Sequence, residues 1–417
     1  MTSIPLRHNR DFVLLQVGQT LSTIGSESTG IAYPLLVLAI THSPLHAGVV
    51  GFARLVPWAL FGVLAGAAVD RLPRKRMMIV SDIVRIGAVT SIVVAIAVHG
   101  ISFAQIAIVA FVEGTMFVFF NLAEVGALRS VVPTRQLPAA AAAEQARYAT
   151  MTLVAPPLGG SLFGLGRALP FLADAVSYVF SLASLLAIRT PFQEEREHEE
   201  VSLKTQLAEG FRWLWGHPFL RTCAILFTWV NLLFEATFLV LIVVGRRQGL
   251  SGAHIGALIA LLGLCLLVGS VASPRLQRRL SMRTIVVGSF WLQLGIAAFV
   301  VKPNVYVLVA GAIPAALLGP SVNAIVIGYR VAIVPDRLTG RVNSVARTIA
   351  LCGAPLGPLA AGLLLGSFSA RTTVAIFAGT MLLLAVIGTV SPSIRNAPSL
   401  DELDDLPRRE ASPAAAG

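Results

Sequence analysis

The stretch GAAVDRLPRKRMM, residues 66–78, ends a long apolar run with a sudden cluster of charges. One carboxylate, Asp70, is followed by four basic residues within six positions. Basic residues directly after an apolar segment are typical of the cytoplasmic end of a membrane-spanning helix. The pattern therefore predicts an integral membrane protein with this loop on the cytoplasmic side.

The composition of the whole chain agrees with a membrane protein. Of its 417 residues, 56% are hydrophobic and 13% are charged, and the mean hydropathy is +0.79, whereas soluble proteins carry roughly 25% charged residues. The net charge of +11 does not indicate a nucleic-acid partner, because no basic patch is interleaved with stacking aromatic residues.

Cys223, Cys265 and Cys352 are isolated in apolar segments and lack metal-ligand spacing. We expect neither a metal site nor a cofactor.

Apolar runs long enough to cross a bilayer, about 20 residues, occur six times, stop, and then occur six times more. They lie near 12–40, 48–69, 77–98, 102–126, 138–165, 168–188, 219–245, 253–273, 284–301, 305–328, 342–366 and 371–391. The sequence predicts an all-α integral membrane fold with 12 transmembrane helices in two six-helix bundles, residues 1–190 and 219–392. Residues 191–218 are predicted to be a cytoplasmic linker with an amphipathic helix on the membrane surface, and 393–417 a disordered tail.

The distribution of Lys and Arg predicts the orientation. The connections after spans two, four, six, eight and ten are rich in basic residues, whereas the opposite connections, such as THSPLHA and HGIS, hold few. Basic loops remain cytoplasmic, so both termini are predicted to be cytoplasmic. The first apolar run has no small-residue cleavage site and is expected to be retained as a span.

The two halves repeat each other weakly. GAAVDRLPRKR at 66–76 corresponds to GSVASPRLQRR at 269–279, and APPLGG at 155–160 corresponds to APLGP at 354–358. Tandem bundles of this kind place a substrate cavity between them near the membrane midplane.

These motifs resemble those of the major facilitator superfamily, and the resemblance extends to about residue 391. The loop at 66–76 resembles the family signature between spans two and three, with Pro73 where the family has glycine. The fifth-span motif resembles the antiporter motif of exporters and comprises Ala155, in place of its first glycine, Pro156, Pro157, Gly159 and Gly160.

Other phrases, including LLQVGQTLSTIGSESTGIAYPLLVLAITHSP and AEGFRWLWGHPFLR, resemble the drug exporter branch with macrolide efflux proteins, the enterobactin exporter and mycobacterial multidrug pumps. The resemblance implies a multi-pass protein of a bacterial plasma membrane that works as a monomer. It also implies a conformational latch formed by Gly66, Asp70, Arg71 and Arg74. In the latch, Asp70 would contact the cytoplasmic end of span eleven.

Carboxylates inside predicted spans are functional candidates, because a charge at a helix centre costs about 2.5–3.5 kcal/mol. Glu27 lies halfway along span one among small residues, Glu113 lies in the middle of span four, and Glu235 lies in span seven. Each is a candidate for binding a cationic substrate or exchanging a proton. The alternative is a hydrogen-bonded acid with only a packing role.

Arg147, in span five, is predicted to be the partner of Glu113, since an arginine holds an acid ionised until a proton binds. Extension of Arg147 to the cytoplasmic interface is the alternative. Asn231, one turn before Glu235, and Asn323, in the proline-interrupted span ten, are the remaining candidates for the cavity lining.

The other charged residues in the spans have structural explanations. Asp82 and Arg85 predict an intrahelical ion pair, and Glu124 is expected to pair with a cytoplasmic-side arginine such as Arg129. Placement at the membrane interface explains two residues near outer span ends, Arg54 and Asp174.

The sequence thus predicts a secondary active exporter that exchanges protons for amphipathic drugs or natural products by alternating access. Export of a siderophore or another metabolite, or uptake of a nutrient, is the alternative within the superfamily. A membrane-embedded enzyme or receptor is the alternative from another class. The sequence contains no nucleophile and base arrangement and no phosphate-binding loop that would favour it.

Overall fold

The computed structural model describes residues 6–192 and 203–398. These residues form α-helices joined by short turns, with 3-10 segments at Leu6–His8, Thr134–Gln136 and Leu294–Ala297. The helices are α1 (Arg10–Thr41), α2 (Pro44–Arg71), α3 (Arg74–Ala97), α4 (Phe103–Val131), α5 (Leu137–Leu165), α6 (Leu169–Ala187), α7 (Leu203–Gly216), α8 (Pro218–Arg247), α9 (Gly252–Arg279), α10 (Met282–Gln293), α11 (Ala298–Val301), α12 (Val305–Ile333), α13 (Asp336–Leu351), α14 (Leu356–Ser367), α15 (Ala370–Val390) and α16 (Pro392–Arg395).

Several helices begin where a polar side chain caps a free backbone N–H group. The side chain of Asn9 accepts a hydrogen bond from the backbone N–H of Phe12 at 3.2 Å at the start of α1. Ser43 accepts one from His46 at 3.3 Å at the start of α2, and Ser102 caps α4 in the same way. Such caps satisfy donors that no helical carbonyl can reach, so these boundaries follow from the local sequence.

Eleven segments of the described chain are long and apolar enough to cross a membrane, which confirms the all-α membrane fold. The twelfth predicted span, at 138–165, is present as α5, a continuous helix of 29 residues. It is less apolar than the others, because its first half carries Glu144 and Arg147. Spans nine and eleven are interrupted, so that α10 is followed by a 3-10 segment and α13 is separated from α14 by a turn.

The described residues divide into two compact units, and the first is built from Met1–His198, Glu235–Gly263 and Ala354–Ala370. A packed apolar core lies at the ends of the first six spans that are predicted to be cytoplasmic. The core includes Phe12, Leu15, Met78, Phe120, Leu185 and Ile188. On the opposite side, α14 packs directly against α2, because a Cβ on Gly48 would lie 2.4 Å from the carbonyl oxygen of Pro358.

The second unit is built from Glu199–Phe234, Leu264–Gly353 and Arg371–Gly417. Backbones touch within it where a Cβ on Gly295 would lie 2.1 Å from the carbonyl oxygen of Gly311, on α12. Small residues permit this approach between membrane helices.

The predicted domain boundaries at 190, 219 and 392 remain a prediction. The predicted tail begins within α16, and its residues 399–417 lie outside the described residues.

The predicted linker helix is present as α7, whereas linker residues 193–202 lie outside the described residues. The helix packs on α13, where Arg341 forms an ion pair with Glu209. Leu214 is buried, while Phe211 and Trp215 are exposed with their rings stacked 4.9 Å apart. The helix is therefore amphipathic, with an exposed aromatic pair suited to a membrane surface.

Candidate functional site

The polar residues of α1 are brought into the interior of the first unit by small residues on its surface. A Cβ on Gly25 would lie 2.3 Å from Ser177 Oγ, and one on Gly18 would lie 2.0 Å from Ser184 Oγ, both on α6. These glycines let α1 and α6 approach closely. As a result, Ser26 and Thr29 are buried between helices instead of facing lipid.

Glu113, on α4, is buried and held by three side chains. The hydroxyl of Tyr33 donates a hydrogen bond to Glu113 Oε2 at 2.6 Å, and the hydroxyl of Tyr178 lies 3.3 Å from Glu113 Oε1. Arg54 Nη2 lies 3.9 Å from the same oxygen and donates a hydrogen bond to the carbonyl of Ser26 at 2.6 Å. A charge taken out of water needs partners of this kind, so Glu113 has a fixed position inside the unit.

Two other predicted acids lie within electrostatic reach of Arg54. Glu27, on α1, interacts with Arg54 and Glu113, and Glu235, on α8, interacts with Arg54 and Glu27. Both acids are half-buried, and neither carboxylate makes a hydrogen bond to the described residues. Arg54 therefore lies 3.9 Å from Glu113 and within electrostatic range of Glu27 and Glu235, and these four residues are here called the Arg54 cluster.

Sequence analysis did not predict Arg54, which was expected at the membrane interface. In the structure its side chain is only 25% exposed. Gly30, one turn of α1 from Ser26, leaves the space for it, since a Cβ there would lie 2.7 Å from Arg54 Nη1. A glycine opposite an intramembrane arginine is a signal visible in the sequence only when the pairing of the two helices is known.

Asp174, on α6, was also expected at the interface, and this prediction is wrong. Its side chain is completely buried, and it accepts hydrogen bonds from Thr29 at 3.2 Å and Ser177 at 3.4 Å. Asp174, Ser177, Tyr178 and Ser181 are spaced three, four and seven residues apart, so they share one face of the helix. This polar stripe is a sequence signal that could have identified the buried face of α6.

The predicted ion pair between Asp82 and Arg85 on α3 is confirmed, at 2.5 Å. Both side chains are buried, and Ser181 donates a hydrogen bond to Asp82 at 2.7 Å. The guanidinium of Arg85 lies 4.3 Å from the ring centre of Tyr178 and 4.5 Å from that of Phe120. Tyr178 therefore contacts both this ion pair and Glu113, and it connects two charged groups of the interior.

Arg147, on α5, does not pair with Glu113 as predicted. Its Nη2 lies 2.9 Å from Glu124 Oε1, and its Nη1 donates a hydrogen bond to Thr23 at 2.9 Å. Glu124 thus pairs with an arginine, as expected, but its partner is Arg147 and not Arg129. Glu124 lies three turns of α4 from Glu113, at the depth that Arg147 reaches from α5. Arg147 and Glu124 form a separate site.

The two predicted asparagines belong to the second unit. Asn231 Nδ2, on α8, donates hydrogen bonds to the carbonyls of Phe227 at 2.8 Å and Ala350 at 3.1 Å. The latter contact lies at the break between α13 and α14, near Cys352. Asn323, on α12, is exposed.

The antiporter-like motif acts at close backbone contacts within the first unit. A Cβ on Gly159 would lie 2.3 Å from the carbonyl oxygen of Ser28, on α1, and one on Gly160 would lie 2.0 Å from that of Gly252, on α9. The carbonyl of Ala155 accepts a hydrogen bond from Ser28 at 3.1 Å. The α5 helix remains continuous through Pro156 and Pro157. In the structure, the motif glycines thus provide close packing between backbones.

The loop that opened the sequence analysis anchors the cytoplasmic end of the first unit. Arg74 donates hydrogen bonds to the carbonyls of Gly126 at 3.2 Å and Phe192 at 3.3 Å. Lys75 donates one to Ile188 at 2.6 Å. Two other residues assigned to the latch, Gly66 and Arg71, lie in α2. The side chain of Asp70 lies outside the part of the chain that the structure describes, so its contact with span eleven stays a prediction.

Comparison with solved structures shows the fold. A bacterial homologue of the iron transporter ferroportin, crystallised in its inward-facing state, superposes with a TM-score of 0.73 at 18% identity, over 93% of this chain and 99% of that one. The D-xylose-proton symporter superposes with a TM-score of 0.67 at 12% identity, over 94% of this chain and 100% of that one.

Sequence comparison gives the family. Multidrug efflux pump Tap of Mycolicibacterium fortuitum is 28% identical over 393 residues, which cover 89% of this chain and 93% of that protein. Macrolide efflux protein A of Streptococcus pyogenes is 25% identical over 182 residues, or 43% of this chain and 45% of that protein. Residues 2–414 match the family described as transmembrane secretion effector. The chain is a multi-pass protein of a bacterial cell membrane, and it belongs to this family of the major facilitator superfamily.

Proposed function

We propose that this protein exports amphipathic, cationic drug-like or natural-product molecules in exchange for protons, by alternating access. Two kinds of finding support the proposal. Relatives over most of the chain are named multidrug efflux pumps. The observation that carries it is the Arg54 cluster, in which one guanidinium lies 3.9 Å from Glu113 and interacts electrostatically with Glu27 and Glu235 inside a membrane-spanning unit.

The cluster suits the binding of a cation. With all its acids ionised, three negative charges face one positive charge, and an uncompensated charge is unfavourable away from water. A cationic substrate or a proton supplies the missing positive charge. Because Glu27 and Glu235 have no hydrogen bond that fixes them within the described residues, they are free to change partners. We assign substrate or proton exchange to these two acids.

Glu113 has a different part in this proposal. Its hydrogen bonds to Tyr33 and Tyr178 fix its position, and its charge keeps Arg54 in the cluster. When a proton neutralises Glu27 or Glu235, the attraction for a bound cation falls, and the substrate is released. Substrate and proton then compete for the same negative charge, which is the requirement for exchange of one for the other.

The same cluster argues against the alternatives. A siderophore exporter would need basic groups for an anionic substrate, whereas Arg54 and Arg147 both face acids. The family consists of transporters. We propose that the protein works as a monomer and carries its substrate across the membrane without changing it chemically. The latch at Asp70 and Arg71 belongs to the proposal as the device that couples the cluster to the conformational cycle.

Transport in inside-out membrane vesicles tests the proposal. An imposed pH gradient, acidic inside, should drive uptake of a cationic dye by the wild-type protein. Glu27→Gln should lower the pH-driven rate about tenfold, while Glu209→Gln, on the cytoplasmic α7, serves as the control and should retain it. Full pH-driven transport by both Glu27→Gln and Glu235→Gln would refute proton exchange at these acids.

A further inference from the structure

The side of the membrane opposite the basic loops has an unusual charge distribution. The connections there, at 42–43, 98–102, 166–168, 248–251, 302–304 and 368–369, contain no Asp or Glu. Arginine is normally depleted on this side, where it opposes the orientation of the protein. Nevertheless Arg167, Arg246 and Arg247 all lie there, and they line one pocket.

This pocket, here called the outer arginine pocket, lies within the first unit. It has a volume of about 340 Å³ and forms where the end of α1, the start of α2, the turn between α5 and α6 and the end of α8 meet. His42 adds a fourth basic side chain, and Leu38 and Val243 supply apolar surface. The pocket therefore combines positive charge with an apolar wall.

The guanidinium groups of the pocket retain most of their hydrogen-bonding capacity. Arg246 Nη1 donates to the carbonyl of Leu250 at 3.2 Å, and Arg247 Nη2 donates to that of Leu365 at 3.3 Å. Each guanidinium has five N–H donors. Within the described residues, no carboxylate lies within 4.0 Å of these arginines or of Arg167. The charges and donors are available to a ligand.

We propose that the outer arginine pocket binds a phosphate group, with the phosphodiester of an anionic lipid headgroup and free phosphate as its two sources. Arginine pairs with phosphate through two parallel N–H to oxygen bonds, and the positive charge of three arginines around one cavity attracts a phosphate anion. The apolar wall at Leu38 and Val243 fits the glycerol and the first acyl carbons of a lipid. The chemistry that lets basic pockets on the cytoplasmic side bind lipid headgroups is present here on the opposite side.

Native mass spectrometry of the full-length protein in detergent tests this site, with phosphatidylglycerol, phosphatidylcholine and inorganic phosphate as separate probes. The double variant Arg167→Gln with Arg246→Gln removes two charges from the pocket. The matched control, Lys302→Gln with Arg371→Gln, removes two charges from the same side of the membrane outside the pocket. Arg247 is left in place because it supports the carbonyl of Leu365.

We expect the wild type and the control to retain phosphatidylglycerol in preference to phosphatidylcholine, and the pocket variant to bind it about tenfold more weakly. Loss of retention at high salt in the wild type gives a second measurement that does not depend on folding of a variant. Binding of inorganic phosphate without a lipid preference would support the site with free phosphate as its source. Equal retention by the pocket variant and the control, or no preference for either phosphate source over phosphatidylcholine, would overturn the proposal.

Discussion

At the scale of single residues, Tyr33 shows how an aromatic side chain serves two purposes inside the membrane. Its ring packs edge-on against Phe171 with centroids 5.1 Å apart, and its hydroxyl reaches Glu113 at 2.6 Å. The apolar part is buried with the helix contact, while the polar end satisfies a carboxylate. The hydroxyl acts on Glu113, and the ring also lies 5.8 Å from the guanidinium of Arg54.

Tyr33→Phe should therefore separate the two purposes. Loss of a hydrogen bond to a charged group costs about 1.5–3 kcal/mol, so we expect a lower melting temperature in detergent and slower dye efflux at unchanged membrane abundance. Tyr306→Phe, at an exposed position, is the control. A Tyr33→Phe protein with wild-type stability and efflux would show that Glu113 does not need this donor.

The ion pair on α3 gives a stability prediction. Arg85→Met leaves Asp82 buried without its cation, which destabilises a protein by about 3–5 kcal/mol. The double variant Asp82→Leu with Arg85→Met removes both charges and should recover much of the loss. Thermal unfolding monitored by size-exclusion chromatography compares the two. Equal stability of the single and double variants would contradict the importance of the pairing.

How far single residues were predictable depends on whether their partners are close in sequence. Asp82 and Arg85 lie on one helix, so spacing alone identified the pair. Arg54, Arg147 and Asp174 contact partners on other helices. The periodicity of one helix does not show which of its faces contacts which neighbouring helix. Their roles became visible only with the packing.

At the scale of elements, α5 is a helix whose position depends on glycines, which have no side chain to keep neighbouring helices apart. Its motif glycines allow it to pack against α1 on one side and α9 on the other. Carbonyl oxygens of those helices lie so close to Gly159 and Gly160 that a Cβ atom on either glycine would clash with them. Such contacts permit weak Cα–H to oxygen bonds between helices. The motif was visible in the sequence, but the neighbouring helices were not predictable, because a glycine does not specify its partner.

Gly160→Val tests this contact. The added carbons would displace the backbone at Gly252, and overpacking of this kind costs about 1–3 kcal/mol of stability, so we expect a lower melting temperature in detergent and slower efflux. Gly164→Val is the matched control on the same helix, since a Cβ there meets no atom within 4 Å. Dye efflux per molecule, with membrane abundance measured by immunoblotting, distinguishes them. Similar activity in both variants would exclude a role for close packing at Gly160.

At the scale of the whole molecule, composition and the spacing of apolar runs were sufficient to predict the membrane fold. Eleven of the predicted spans meet the criteria of length and apolarity, whereas α5, in the region of the remaining predicted span, is helical but does not meet them. The interruptions of spans nine and eleven were not predicted, because hydropathy over about 20 residues averages over a single non-helical turn. The charge of the loops then gave the orientation.

Cysteine labelling checks this orientation. In a chain whose native cysteines are replaced by serine, Lys302→Cys should react with a membrane-impermeant maleimide added to intact cells. Arg279→Cys, exposed at the end of α9, should react only after the membrane is permeabilised, because basic loops stay in the cytoplasm. The reverse pattern would invert the topology.

The glycine-to-carbonyl contacts of α5 also bear on how such a transporter diversifies. Because these contacts involve backbone atoms alone, they constrain only the glycines themselves and leave the other side chains of the helix free to mutate. Related transporters that keep these glycines can change the residues that contact the substrate and still keep the same helix packing. The same shape at 18% identity in a ferroportin homologue is the outcome expected of a fold whose geometry and specificity evolve on separate positions.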